Sequence, residues 1–419
     1  CELGRHCARD PAPFAHLWTD LLGPNGRQAY WFGQGLAQAT MDIAASWADL
    51  RDHFGDCDRI KRNASLLGGF LEGAATTHRA LIEGFLDDAI RDPDLGSVLP
   101  CLQMAVGLDE AGVERLLASL EVGLAPPHLY RNLIGRTTDN IPPAMLSRLL
   151  RALSWQPEGY QVAVEILRMQ FSDPQGNRGS WDPGLLDCGR QLLLNIPLAN
   201  VEQNVAYDLG VIARICLAGA DTVAEAQTLC ERIRDAARDW LAPWRGLDDW
   251  VKALLELHPH VVLSCWLDGD TEDWANITRQ FLSITSGNLL GEVPTSTLLN
   301  WVNQAPGTRY PRLAAVLPLF DKEEEDGAVA WSEAALALLT SAPDREAVFR
   351  AFVTAAYIRQ TAYRGSRADF LEQRRLLIRQ FLDDRDSAVS RASRELDIDL
   401  EREIVSERTR EKDRDERFE

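Results

Sequence analysis

The chain has 419 residues, of which 46% are hydrophobic and 26% are charged. This composition is that of a protein with a sizeable core, and the length exceeds what one compact domain normally reaches. The formal net charge of −19 argues against a nucleic-acid-binding surface over most of the chain. No apolar run approaches the roughly 18 residues that a membrane span needs, so we expect no membrane association.

Helical periodicity dominates the chain. The segment from Thr40 to Phe54 has apolar residues at spacings of three and four, and the segment from Leu66 to Ile90 has the pattern of two helices with small residues on one face. Those small residues are Gly68, Gly69, Gly73, Ala74 and Ala75. Further helices are predicted at 113–120, 145–153, 160–171, 201–217, 223–241, 247–257, 277–284, 295–302, 310–320, 332–339 and 344–357.

Alternating strand patterns are scarce in this sequence. The best candidate is the segment from His260 to Trp266, which is short and which we interpret as a buried helix. Breaks rich in Pro, Gly and Asp recur about every 30 to 50 residues, the period of helical-hairpin repeats. The sequence therefore predicts an all-α fold, specifically an elongated and curved α-solenoid of HEAT-like helical hairpins that ends in a charged C-terminal helix.

The polar, Gly- and Pro-rich stretch from Ser172 to Gly184 is predicted to be a boundary between two sets of repeats or an exposed loop. It separates N-terminal helical repeats over 1–172 from C-terminal helical repeats over 185–396. From 397 to 419 the chain is dense in Arg, Glu and Asp, which predicts a charged helical or disordered tail. Because the chain opens on Cys1 and not on Met, we expect further domains upstream in the same polypeptide.

No catalytic signature is present in the sequence. The eight cysteines are scattered without a CxxC pair, which predicts free thiols in a reducing, cytoplasmic compartment. No lysine follows a glycine, so a Walker A phosphate loop is absent, and Gly33-Gln34-Gly35 lacks the third glycine of a dinucleotide-binding motif. The sequence therefore predicts no enzyme, and no catalytic, cofactor-binding or metal-binding residues.

One cluster has the residue types of a metal site. His258 and His260 are followed by Cys265, Asp268 and Asp270, and zinc needs three or four such ligands around it. Pro259 separates the two histidines and indicates a helix break, so we interpret the segment as a polar turn between helices. A metal-dependent hydrolase that uses these residues is the enzymatic alternative.

Five side chains are candidates for contact with a partner. Trp181 lies in the polar stretch, and Trp244 follows a proline, so both are expected on the surface. Arg131, Arg136 and Arg309 lie close to tyrosines or threonines near predicted helix ends, where they could recognise a peptide or a phosphate. Bonding between neighbouring repeats is the alternative explanation for these arginines. The expected partner is another protein or an upstream domain, with a basic or neutral surface.

Two resemblances extend this interpretation. The unit from Leu382 to Leu396 resembles HEAT repeats, although Ser387 and Ser390 stand where that pattern prefers Pro and Arg. The stretches 69–131 and 342–419 resemble the C-terminal helical region of long bacterial proteins with upstream NTPase or effector modules, such as STAND-type NTPases of antiphage defence. The resemblance implies a non-catalytic scaffold or sensor that mediates protein–protein interaction, or a regulatory, autoinhibitory arm of such an NTPase.

Overall fold

The computed structural model describes residues 1–24, 26, 28–172, 181–198, 203–238, 247–269, 281, 289–320, 330–354 and 366–418. Within these ranges all regular structure is helical, apart from one isolated antiparallel bridge between Phe320 and Trp331. The predicted all-α class is confirmed. Among the helices in these ranges, none combines the length and the apolar character that a bilayer crossing requires.

The chain divides into two compact units, Cys1–Ile196 and Pro197–Glu419. The described α-helices of the first unit are α1 (Glu2–Arg9), α2 (Trp18–Leu21), α3 (Ala29–Ala39), α4 (Ile43–Asp56), α5 (Ser65–Ala89), α6 (Leu99–Val106), α7 (Glu110–Val122), α8 (Pro143–Ser154), α9 (Gly159–Gln170) and α10 (Pro183–Leu194). Short 3₁₀ turns connect several of them, the longest at Pro127–Leu133.

The second unit continues in the same manner. Its described α-helices are α11 (Gln203–Cys216), α12 (Val223–Arg238), α13 (Leu247–Leu257), α14 (Pro259–Leu267), α15 (Thr295–Val302), α16 (Pro306–Ala314), α17 (Glu333–Ser341), α18 (Arg345–Thr354), α19 (Arg367–Arg379) and α20 (Ser387–Phe418).

Most of the predicted helices that fall in the described ranges are present. Four segments need separate comment. The segment from His260 to Trp266 lies within α14, so its interpretation as a buried helix is confirmed. The α5 segment is interrupted at His78, where φ is −129° and ψ is 38°, as the two-helix pattern predicted. The prediction for 310–320 differs from α16, which starts at Pro306 and ends at Ala314. Pro318 disfavours helical backbone at the preceding residue, and the helix ends before it. The predicted helix 277–284 lies outside the described residues except for Phe281.

The boundary between two sets of repeats at 172–184 stays a prediction, and α10, which follows it, belongs to the first compact unit. Helix α10 follows that stretch, yet it packs against α8 and α9 of the first unit. The Ser147 hydroxyl of α8 donates a hydrogen bond to the Gly184 carbonyl at 3.0 Å. Residues 173–180 lie outside the described ranges. The compact unit that contains α8 and α10 extends to Ile196.

Glycines set the packing distance between helices at the start of the first unit. A Cβ atom added to Gly69 of α5 would lie less than 3.0 Å from the Tyr30 carbonyl oxygen of α3, closer than real Cβ atoms come. Gly33 of α3 is equally close to the Leu66 carbonyl, and Gly35 faces the Cys1 carbonyl on the opposite side. The Gly33-Gln34-Gly35 motif therefore lies in a helix that is packed on two sides. The predicted small-residue face of α5 is confirmed.

In the second unit, buried tryptophans fill the space between neighbouring elements. Trp250, Trp301 and Trp331 are buried, and each donates its indole N–H to a neighbouring element. The acceptors are the Ala206 carbonyl at 2.6 Å, the Ser264 hydroxyl at 2.9 Å and the Leu377 carbonyl at 2.9 Å, respectively. A buried indole thereby fills the space between helices and satisfies its one polar atom.

Helices pack on their neighbours in chain order. Within each unit, every extensive contact between described α-helices joins helices at most two places apart in that order. Polar side chains follow the same rule, because many of their bonds join residues separated by about one helical hairpin. Examples are Arg131 with Glu165, Arg151 with Asp187, and Arg345 with Asp384, which are 34, 36 and 39 residues apart.

The charged C-terminal segment belongs to a long helix. Helix α20 runs without interruption from Ser387 to Phe418, so the predicted tail is helical from 397 to 418. Its carboxylates bond to α19: Asp397 accepts two hydrogen bonds from the Arg375 guanidinium, at 2.6 and 3.0 Å. The Glu411 carboxylate accepts from the Ser366 hydroxyl and the Arg367 amide, at 2.8 and 2.7 Å, and thus covers the start of α19.

Candidate functional site

Of the five predicted contact residues, the structure describes the side chains of Trp181, Arg131 and Arg309. Trp181 is half-buried, and its ring meets that of Phe171 edge to face, with 5.1 Å between centroids. Trp244 lies outside the described residues. The backbone of Arg136 is in a short 3₁₀ turn, and its side chain is not among those the structure describes.

Arg131 and Arg309 bond to neighbouring helices of their own unit. The Arg131 guanidinium donates to both carboxylate oxygens of Glu165, at 2.8 and 3.0 Å. Arg309 donates to both oxygens of Asp268, at 2.9 and 2.6 Å, and its guanidinium lies 4.5 Å from the Trp301 ring centroid. These bonds are the ones expected from the repeat-bonding explanation. Contact of the two arginines with a partner stays a prediction.

The histidine cluster is part of the packing of α14. His258 is buried, and its Nε2 atom lies 2.8 Å from the Leu217 carbonyl and 3.2 Å from the Thr222 hydroxyl. Asp268 is bound by Arg309 as described above, and Asp270 is outside the described residues. Across the described part of the chain, no three His, Cys, Asp or Glu side chains are grouped as metal ligands.

A cleft in the first unit does bring functional side chains together. It has a volume of about 630 Å³ and lies between the start of α2 and the end of α4. Trp18 and His53 stack in its wall, with ring centroids 5.4 Å apart and planes inclined by 19°. The exposed residues Asp20, Asp56 and Asp58 line the same cleft. We call this group of five side chains the acidic aromatic cleft.

Hydrogen bonds hold the two walls of the cleft in place. The backbone N–H of Asn63 donates a hydrogen bond to the Leu22 carbonyl at 2.7 Å, which connects the segment after α4 to the end of α2. Arg62 satisfies the exposed end of α4, because its guanidinium donates to the Gly55 and Cys57 carbonyls at 2.5 and 2.8 Å. It also donates to Asp94 at 2.7 Å, and this bond lowers the pKa of that carboxyl group.

The chemistry of the cleft favours binding over nucleophilic catalysis. Cys57 lines it, but burial raises the pKa of its thiol, which donates a hydrogen bond to the His53 carbonyl at 3.3 Å. Among the described residues of the lining, the one cation is Lys61, whose ammonium lies 3.8 Å from Asp58. Three carboxylates beside an aromatic face are the groups that recognise a cationic side chain.

The sequence did not reveal this cleft. Trp18 and His53 are 35 residues apart and belong to different helices, so no local pattern relates them. The available signal was the acidic end of α4, where Asp56 and Asp58 follow a histidine and flank a cysteine. Paired carboxylates of this kind are common at helix ends, and they indicate no site without a known neighbour across the cleft.

Comparisons with known proteins give no family for the chain: no family model, no curated protein and no solved structure matches it.

Proposed function

We propose that this chain is a non-catalytic helical-repeat scaffold that binds a basic segment of a protein partner in its acidic aromatic cleft. The observation that carries the proposal is the Trp18–His53 stack in a cleft that three exposed aspartates also line. An arginine or lysine of the partner would place its cationic group against the aromatic wall and its N–H donors toward Asp20, Asp56 and Asp58.

The packing of the helices supports a HEAT-like solenoid as the frame for this site. In each unit the extensive contacts join described helices at most two places apart in chain order, and polar bonds recur at separations of about one hairpin. Repeat proteins have this property, since each hairpin leaves an apolar face that only the next hairpin covers. Such folds present surface to a partner, in agreement with a binding role.

The overall charge supports the same class of partner. At −19 the chain repels acidic proteins and attracts basic ones over a distance of about 10 Å at an ionic strength near 0.1 M. This long-range attraction raises association rates for any basic partner. Short-range contacts in the cleft must therefore supply the specificity, and a test has to separate the two contributions.

A titration with an oligoarginine peptide tests the proposal. The full chain and its Asp56→Asn/Asp58→Asn variant are compared by isothermal titration calorimetry at low salt. Asparagine keeps the hydrogen bond that the Asp58 side chain accepts from the Ile60 amide, so the local turn is preserved. We expect the variant to bind about tenfold more weakly, because two charge-assisted bonds are lost.

The matched control is Asp383→Asn/Asp399→Asn, which removes the same charge from exposed positions in the other unit. We expect its affinity to stay within about twofold of the unmodified chain. An equal loss in both variants would show that peptide binding reports total charge only. A Trp18→Leu variant that retains full affinity would contradict the role of the aromatic wall.

A further inference from the structure

Two cysteines of the second unit lie on helices that pack against each other. Cys230 lies on α12 and is buried, and Cys265 lies on α14 and is partly exposed. Each thiol shifts the pKa of the other, although 35 residues separate them in the sequence. Cys265 lines a groove of about 490 Å³, so a small molecule can reach this thiol but not Cys230.

Arg234 completes the arrangement. It lies one helical turn after Cys230 on α12, and its Nη1 atom is 3.1 Å from the Cys265 carbonyl oxygen and 3.9 Å from the Cys265 sulfur. The Asp235 carboxylate accepts hydrogen bonds from Nε and Nη2, at 3.2 and 3.1 Å, and fixes the plane of the guanidinium. A positive charge is thereby held beside the sulfur, where it favours the thiolate.

The electrostatics separate the two thiols of the pair. The neighbouring Cys230 thiol and the Arg234 charge lower the pKa of Cys265, against opposing contributions from burial, Glu231 and Asp235. The neighbouring Cys265 thiol and burial raise the pKa of Cys230. Cys101 and Cys188 differ from Cys265, because burial raises the pKa of each of these thiols.

We propose that Cys265 and Cys230 are a hydroperoxide-oxidised thiol pair, with Cys265 as the attacking sulfur and Cys230 as the resolving one. The Cys265 thiolate attacks one oxygen of hydrogen peroxide, the O–O bond breaks, and the released hydroxide takes a proton to become water. The Cys230 sulfur then attacks the resulting sulfenic acid. An S–S bond forms, the S–O bond breaks, and a second water leaves with the Cys230 proton.

The overall change is two thiols and one hydrogen peroxide to one disulfide and two waters. The peroxide is reduced and the two sulfurs are oxidised, so no further reactant is required. The disulfide would join α12 to α14 covalently. A reducing dithiol would restore both thiols, since a disulfide is exchanged by thiolate attack.

Peptide mass spectrometry of the full chain tests the proposal. After exposure to a small excess of hydrogen peroxide and alkylation of the remaining thiols, we expect a cross-linked peptide that contains Cys230 and Cys265. In a Cys230→Ser variant, Cys265 should stop at the sulfenic acid, which dimedone traps. In a Cys265→Ser variant, Cys230 should remain reduced at the same peroxide dose.

The Arg234 variants test the activation of Cys265. Arg234→Gln should slow oxidation of Cys265 about tenfold, and Arg234→Lys should retain most of the rate, because it keeps a positive charge beside the sulfur. The alkylation rates of Cys101 and Cys188 in each variant report whether the fold is intact. The proposal is overturned if Cys265 oxidises no faster than Cys101, or if no Cys230–Cys265 cross-link forms in the unmodified chain.

Discussion

The two units of this protein pack their helices with opposite kinds of side chain. Twenty of the 29 glycines lie in Cys1–Ile196, whereas seven of the 12 tryptophans lie in Pro197–Glu419. At α3 and α5 the backbones touch because Gly33 and Gly69 have no side chain between them. In the second unit, buried indoles hold neighbouring helices apart and bond to them. We therefore expect larger side chains to destabilise the first unit most, and the removal of large side chains to destabilise the second unit most.

The largest effect is expected from an addition in the first unit. Gly69→Leu would place a side chain against the Tyr30 carbonyl, and α3 and α5 would have to separate. We expect a loss of more than about 4 kcal/mol in the free energy of unfolding. Urea denaturation measures this loss, and hydrogen exchange should locate it in α3 and α5.

The control lies in the same helix. A Cβ atom at Gly84 meets nothing within 4 Å, so Gly84→Ala tests helix propensity without a clash. This substitution should raise the free energy of unfolding by about 0.5–1 kcal/mol. A Gly69→Leu variant as stable as Gly84→Ala would mean that the helices are not in backbone contact.

The second effect comes from a deletion in the other unit. Trp250→Ala removes a buried indole and its hydrogen bond to the Ala206 carbonyl, so both a cavity and an unpaired acceptor remain. We expect a loss of about 3–4 kcal/mol, measured by urea denaturation. Trp250→Phe keeps most of the volume and should lose about 1–2 kcal/mol.

Trp155, 76% exposed in the first unit, is the matched control for this deletion. Trp155→Ala should change the free energy of unfolding by less than about 0.5 kcal/mol, because the side chain is already in water. If Trp155→Ala were as costly as Trp250→Ala, the sorting of tryptophans by burial would be incorrect.

The smallest effect is expected at an ion pair, and it depends on pH. Arg345 donates to both oxygens of Asp384, at 2.8 and 3.0 Å, and this bond lowers the pKa of Asp384. The folded chain therefore holds the ionised carboxylate more favourably than the unfolded chain does. The stabilisation is complete above the unfolded pKa of about 3.9 and is lost as the pH falls through the lowered folded value.

Arg345→Ala should cost about 2 kcal/mol at neutral pH and less in acid. Urea denaturation midpoints of the unmodified and Arg345→Ala chains, measured from neutral pH to acid, should approach each other as the pH falls. Arg394→Ala is the control, because its pair with Asp383 is largely exposed. A constant difference between unmodified and Arg345→Ala chains at all pH values would contradict the assignment.

Local features of the fold were predictable from the sequence. The sequence indicated the helix at His260–Trp266, two helices in the segment from Leu66 to Ile90 and the small-residue face of α5, because each of these depends on residues close together in the chain. The course of 310–320 was missed, because α16 begins at Pro306, before the apolar pattern starts, and ends before Pro318, which lies inside that pattern. The solenoid, the HEAT resemblance and the link to NTPase proteins stay predictions.

The candidate sites were less accessible to sequence reasoning. Trp18 meets His53, and Cys230 meets Cys265, across about one hairpin of chain, and nothing in either local pattern indicates the partner. Arg131 and Arg309 could be selected from the sequence, because each lies close to a tyrosine near a predicted helix end. Their acceptors, Glu165 and Asp268, could be found only once the helices were arranged.

The neighbour-to-neighbour packing within each unit has a consequence for biosynthesis. A helix whose extensive contacts are with described helices at most two places away in chain order has these contacts available soon after it leaves the ribosome. We therefore expect the nascent chain to fold progressively from its N-terminal side, with little apolar surface waiting for distant segments. The same arrangement would let evolution lengthen or shorten the protein by whole hairpins, since each junction resembles the next.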